Sequence, residues 1–237
     1  MANLLRFSLL LLSLVILMTT TTSDAARAED AAMRVLPALT RDTKIVNLQV
    51  GAPVFIRIFK QEALLELWLK SARGYQLFRS YPICAFSGLL GPKTMEGDGQ
   101  APEGIYQVQP KQMNPASRFH LSFNLGYPNA YDQAHGYTGS ALMVHGNCVS
   151  IGCYAVTDAK IEEIYTLMAR AFSAGQATIG VHAFPFRLTA RALTAQAGHE
   201  FIDFWRELQP IYQTFEDQKV PPVVAVRAGR YVMPARQ

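Results

Sequence analysis

From Pro53 onward apolar and polar residues alternate along the chain. Val54, Ile56 and Ile58 fall on one side and Phe55, Arg57 and Phe59 on the other, which predicts a half-buried strand. Leu65, Leu67 and Leu69 alternate with Glu66, Trp68 and Lys70 as a second strand, and the run from Tyr75 to Ile83, set off by Gly74 and Pro82, reads as a third. The short polar connections at 60–63 and 71–74 make the three a meander. Residues 88–104 carry Gly88, Gly91, Pro92, Gly97, Gly99, Pro102 and Gly104, too many turn formers for a regular element. A loop of that length inside a compact domain is usually functional. Further strands are expected at 105–109, 120–125, 141–145 and 178–183.

Helical periodicity begins at Thr157 or Asp158, either of which can cap exposed backbone N–H groups. Ile161, Ile164, Tyr165, Met168, Ala171 and Phe172 then share one face, and Gly175 ends the helix. A second amphipathic helix carries Phe201, Phe204, Trp205 and Leu208. Pro210 is expected to break or kink it before Ile211, Tyr212 and Phe215 resume the pattern. The tail from Val220 to Met233, with Pro221 and Pro222, reads as an edge strand or extended arm. The fold class is therefore mainly β with helices (α+β), ending in a helical C-terminal extension.

The start of the chain reads differently. Arg6 precedes an apolar run from Phe7 to Met18, followed by a Thr-rich stretch and two small-x-small sites ending at Ala25 and Ala28. This is the pattern of a secretory signal peptide over 1–28, and the run falls short of the ~20 residues that span a bilayer. No later segment is long and apolar enough to cross a membrane, so stable membrane insertion after signal cleavage is not expected. With 237 residues, 50% hydrophobic and 17% charged, the chain can bury a sizeable core as one domain plus appendages. The formal charge of +4 falls to +3 once residues 1–28 are removed, which argues against a nucleic-acid partner.

Export changes the reading of the three cysteines, Cys84, Cys148 and Cys153, because an oxidising compartment pairs idle thiols. An odd count leaves one thiol for chemistry, or all three free, or an intermolecular bond. The densest chemistry lies between Val144 and Tyr154 (VHGNCVSIGCY), where a strand ends at His145 and Gly152 precedes Cys153. A thiol attacks a carbonyl only as thiolate, and a nearby imidazole can take its proton. Gly152 would let a substrate carbonyl approach, and the N–H groups of Gly152 and Cys153 could stabilise an oxyanion. Three other readings compete: a buried Cys and a structural His, a Cys148–Cys153 disulfide, and a zinc site of His145, Cys148, Cys153 and Cys84.

The segment Ser150-Ile151-Gly152-Cys153, with His145-Gly146 upstream, resembles the active-site signature of the YkuD-type L,D-transpeptidases, in particular their YafK-like branch. The same branch is resembled by residues 53–60 (PVFIRIFK), by the Gly91-Pro92-Lys93 and Ala101–Gly104 segments, by 123–129 (FNLGYPN), by 152–158 (GCYAVTD) and by 184–187 (FPFR). The resemblance runs from about residue 43 to the end. It implies that Cys153 is the nucleophile and His145 its base, that the Gly146 carbonyl orients the imidazole, and that Ser150, Ile151 and Gly152 line the oxyanion side. The common signature has His and Asn where this chain has Ile151 and Ala155, as the YafK-like branch does.

The organisation expected is a signal peptide at 1–28, an N-terminal segment at 29–50, an L,D-transpeptidase-type catalytic domain at 51–187, and a C-terminal helical extension and tail at 188–237. The resemblance implies a periplasmic cysteine enzyme needing neither cofactor nor metal. Its partners would be peptidoglycan stem peptides and a wall-linked lipoprotein, and its reaction cleavage of the amide between meso-diaminopimelate and the lipoprotein's terminal Lys. Formation of wall cross-links is the alternative within the fold, and a non-catalytic peptidoglycan-binding module the alternative outside it. Lys93 and Arg187 could meet stem-peptide carboxylates, although solvated surface cations are commoner. His120, His135, His182 and His199 have no partner pattern and read as structural.

Overall fold

The computed structural model describes residues 24 and 26–234. The apolar run from Phe7 to Met18, on which the signal-peptide reading rests, lies outside the described residues. Among the described residues no helix is long and apolar enough to cross a membrane.

The chain opens with a helix over 26–45 (α1), in the segment for which the pattern predicted no element. Its apolar face is built largely from alanine, which periodicity registers weakly; Ala31 and Leu39 are nonetheless fully buried. A meander follows: β1 (Val54–Phe59), β2 (Leu64–Ser71) and β3 (Gly74–Pro82). Beyond it come β4 (Ala85–Phe86), β5 (Gly104–Val108), β6 (Met113–Asn114), β7 (Ser122–Asn124), a short helix α2 (Ala130–Ala134), β8 (Met143–His145) and β9 (Tyr154–Ala155). Then α3 (Asp158–Ser173), β10 (Ile179–Phe184), α4 (Ala190–Ala195), α5 (Ile202–Gln218) and the hairpin β11 (Ala225–Arg227) and β12 (Arg230–Val232) complete the order.

Two five-stranded mixed sheets result, in the orders β3-β2-β1-β10-β5 and β4-β9-β8-β7-β6. Each contains one parallel pair, β1 with β10 and β8 with β9. The main core lies where they face each other. Val54, Ile56 and Ile58 of β1 and Leu65, Leu67 and Leu69 of β2 meet Phe123 and Val144 of the other sheet, together with Ile161, Ile164 and Met168 of α3.

The sequence pattern predicted that β1 would be half-buried, but all six of its residues are buried. The face carrying Phe55, Arg57 and Phe59 is covered by α5, whose Phe215 ring lies tilted at 4.7 Å from Phe55 and whose Tyr212 lies edge-on to Phe59. Arg57, 1% exposed, is accommodated by ion pairs to Glu66 and Glu216 at 2.8 Å each. A buried guanidinium is tolerated only when its charge and its donors are matched in this way.

The C-terminal elements thus form one face of the molecule. Helix α5 runs unbroken through Pro210. The proline removes one backbone bond, but Trp205, Leu208, Ile211, Tyr212 and Phe215 bury on both sides of it, and that packing outweighs the break. The tail closes as the β11–β12 hairpin rather than as an arm, and the Tyr231 hydroxyl accepts from Ile105 N–H in β5.

The loop predicted at 88–104 is irregular and pinned from beneath. Lys60 and Glu103, both fully buried, pair at 3.0 Å. Lys60 Nζ also donates to the carbonyls of Leu89 and Gly91, and Glu103 accepts from Gly91 N–H and from the Trp205 indole.

Candidate active site

Strands β8 and β9 place the two central residues. They pair in parallel with Val144 opposite Tyr154 and His145 opposite Ala155, so His145 ends one strand and Cys153 immediately precedes the other. The N–H of Met143, two residues before His145, donates to Cys153 Sγ at 3.4 Å, so the sulfur lies alongside β8. The imidazole of His145 is 1% exposed and stacks on the Phe119 ring at 4.6 Å. Its Nδ1 is 2.7 Å from the Gly146 carbonyl oxygen. A carbonyl can only accept, so Nδ1 carries the proton and Nε2 is left as an acceptor.

Gly146 is required for more than its carbonyl. A Cβ there would lie 2.5 Å from Asp158 Oδ1 and 3.0 Å from the Phe119 carbonyl. Asp158, expected as a helix cap, instead accepts from Asn147 N–H at 2.7 Å; Thr157 is the capping residue of α3, without a side-chain bond. Asn147 and Cys148 both adopt positive φ, 66° and 46°, strain that an ordered turn must offset.

That turn is fastened by a disulfide between Cys84 and Cys148, which leaves Cys153 as the free cysteine. The Cys148–Cys153 alternative is thereby overturned, and two of the four sulfur and nitrogen atoms of the zinc alternative are spent on each other. Among the described residues no three His, Cys, Asp or Glu gather as a metal site.

The backbone donors expected on the oxyanion side are engaged. Gly152 N–H donates to Ser87 Oγ at 2.6 Å and Cys153 N–H to Ser150 Oγ at 2.9 Å. The Ser150 hydroxyl in turn donates to the Cys153 carbonyl at 2.7 Å. Two hydroxyl oxygens therefore already take both N–H groups. Ile151, the signature's central residue, is 88% exposed beside them.

Burial pushes the His145 imidazole below its usual range, against the opposing pull of the Gly146 carbonyl, and pushes the Cys153 thiol up, against the Met143 N–H. Desolvation disfavours the charged form of each group, and the Cys153 thiol itself points to the Ala141 carbonyl at 3.9 Å.

Residues 53–179 match YkuD, the L,D-transpeptidase catalytic domain. The chain belongs to that family. It is 48% identical over 184 residues to YafK of Escherichia coli (strain K12), whose name assigns it provisionally as an L,D-transpeptidase; the match covers 78% of this chain and 75% of that one. The protein of the same name from Escherichia coli O157:H7 matches equally. Among solved structures, Pgp2, the helical cell shape determining protein of Campylobacter jejuni, aligns with a TM-score of 0.47 at 16% identity, covering 73% of this chain and 72% of that one. A mutant form of Pgp2 aligns over 54% of its length. Bd1075 of Bdellovibrio bacteriovorus gives 0.39 at 22% identity, covering 69% and 62%.

The family's matched span holds β1 through α3 but not α1, α4 or α5. The other sequence candidates lie in structural roles. Lys93 is buried and pairs with Asp98 at 2.5 Å, so it is not a solvated cation, whereas Arg187, its side chain 39% exposed, pairs with Glu66 at 2.6 Å over the Phe59 ring. His120 pairs with Glu162, His135 stacks on Tyr131, His199 on Trp205, and His182 is buried against Phe55. Ser87 and Phe119 went unrecognised in the sequence because each meets its partner only across the fold.

Proposed function

We propose that this chain is an exported cysteine enzyme of the cell wall that cleaves the amide between meso-diaminopimelate and a wall-attached lipoprotein through an acyl-thioester on Cys153. The observation that carries the catalytic part is the His145 Nδ1 bond to the Gly146 carbonyl, which leaves Nε2 as acceptor while Met143 N–H holds the sulfur beside the same strand. The peptidoglycan substrate is supported by the family, and the choice of bond by resemblance to the YafK-like branch. Periplasmic location rests on the leader pattern at 1–28.

The steps follow from these atoms. His145 Nε2 takes the thiol proton as Sγ attacks the amide carbonyl, and the tetrahedral oxygen displaces the Ser87 or Ser150 hydroxyl from its backbone donor. The imidazolium then returns the proton to the departing amine, leaving the acyl group on sulfur. Water, activated by the same Nε2, releases the acid and restores the thiol. An amine in place of water would give transpeptidation, the reading favoured by the family's own description.

Purified sacculi carrying bound lipoprotein separate these readings. The wild type is expected to release free lipoprotein, Cys153→Ala to release none, and Cys148→Ala to remain active. New cross-links without release would establish the transpeptidase, and binding without turnover a non-catalytic module.

A further inference from the structure

We propose that Arg27, on helix α1 and outside the span matched to the family, is a positioning residue for His145, acting through the segment 115–120. This rests on the reading of Cys153 and His145 as nucleophile and base. The Arg27 guanidinium donates through Nη1 to three carbonyls of that segment, Pro115 at 3.0 Å, Ser117 at 3.1 Å and His120 at 3.4 Å. Residues 115–120 belong to no strand or helix, so their carbonyls lack ladder partners and take what donors approach. A guanidinium, always charged and presenting several N–H groups in one plane, suits a cluster of converging carbonyls.

What the segment holds is the base. Its Phe119 ring lies against the His145 imidazole, and its Phe119 carbonyl accepts from Gly146 N–H at 3.0 Å, with the Leu121 carbonyl at 3.2 Å. The Gly146 carbonyl then fixes the imidazole. One residue is therefore clasped from both sides: its ring by Phe119, and its orienting carbonyl by the peptide that Phe119 also binds.

Helix α1 makes a second tie to the same segment. Arg34 pairs with Glu162 at 2.6 Å, and Glu162 accepts from the His120 ring at 2.7 Å. The two tethers bracket Phe119, with Arg27 reaching the backbone and Arg34 reaching the side chain of His120 by way of α3. A helix whose role was only to cover the core would need neither.

The test uses the chain cut after Ala25, the one of the two small-x-small sites that leaves Arg27 in place, so that an exported chain beginning at Glu29 would overturn the inference. It uses iodoacetamide, which reads deprotonation of the free thiol without a wall substrate. Because Cys84 and Cys148 are joined, the reagent reports Cys153 alone. Arg27→Ala is expected to slow alkylation about tenfold, the scale for a general base that is present but loosely oriented. Arg27→Lys should recover most of the rate. Phe119→Leu should slow it as well, and the Arg27→Ala, Phe119→Leu double variant should be no slower than the slower single one, since both act through one link.

An Arg27→Ala rate within about twofold of wild type would overturn the inference, as would independent, multiplicative effects of the two substitutions. If Arg27→Ala does not fold, Arg27→Lys and Phe119→Leu still give the comparison, and a Phe119→Leu rate equal to wild type overturns it. A wild-type alkylation rate equal to that of His145→Gln would instead defeat the nucleophile–base reading itself.

Discussion

The backbone N–H of Gly152 donates to the hydroxyl oxygen of Ser87 at 2.6 Å, across 65 residues of sequence. Gly152 holds φ at +91°, which suits glycine, and the serine ties this strained turn to the loop at 99–101, where its hydroxyl also donates to the Gly99 carbonyl. Ser87→Ala leaves a buried N–H without a partner, at a cost of about 1–3 kcal/mol. It also removes the hydroxyl that competes with a substrate oxygen. Urea unfolding of the variant should show a lower midpoint, and its KM for wall substrate should fall. An unchanged midpoint would mean that water replaces the hydroxyl freely.

Gly146→Ala introduces a methyl group against Asp158 Oδ1 and the Phe119 carbonyl. Overpacking of this kind costs about 1–3 kcal/mol, and here the strain falls on the peptide that orients His145. Loss of turnover should therefore exceed what the loss of folded protein explains. The comparison is between kcat and the folded fraction measured by circular dichroism, and proportional losses would show that the orienting peptide had not moved.

The Cys84–Cys148 bond closes a loop with a sequence separation of 64, for which chain entropy gives about 4 kcal/mol. A Cys84→Ser, Cys148→Ser double variant should melt well below the wild type. Well below that melting temperature it should keep substantial turnover. The turn retains Asn147 N–H on Asp158, Cys148 N–H on the Val156 carbonyl and Gly152 N–H on Ser87. An inactive but folded double variant would make the disulfide part of the catalytic geometry.

His182 is buried with its Nδ1 unpartnered, and burial, with a smaller push from Arg57, lowers its pKa to about 3. Between that value and the ordinary 6.5 the unfolded chain binds the extra proton, so stability is complete above about pH 6.5 and declines as pH falls. From pH 7 to pH 5 this amounts to about 2 kcal/mol. Asp132, raised by burial to about 6, works in the opposite direction between 3.8 and 6. His182→Phe fits beside Phe55 and Phe184 and removes the first contribution. Between pH 7 and pH 5 its urea midpoint should rise relative to that of the wild type, and equal changes would place the proton uptake elsewhere.

The sequence by itself determined the meander β1–β3, the strands β5, β7, β8 and β10, helix α3 and, apart from the expected break at Pro210, helix α5, and it marked Cys153 and His145 as candidates. Alternation in β1 to β3 and the 3.6-residue stripe from Ile161 to Phe172 are local signals, written wherever one face of an element must leave water. The signature around Cys153 is local as well, since His145, the turn and Cys153 lie within nine residues. Only the tertiary structure decided that β1 is covered on both faces, because the covering comes from α5, over a hundred residues away. It alone joined Cys84 to Cys148, set Ser87 on Gly152, and brought Arg27 to the backbone beside Phe119. In the sequence Arg27 reads as part of a leader and α1 as no element at all, since an alanine face has little hydrophobic contrast. The arginine's role exists only once three carbonyls from 88 to 93 residues away converge on it.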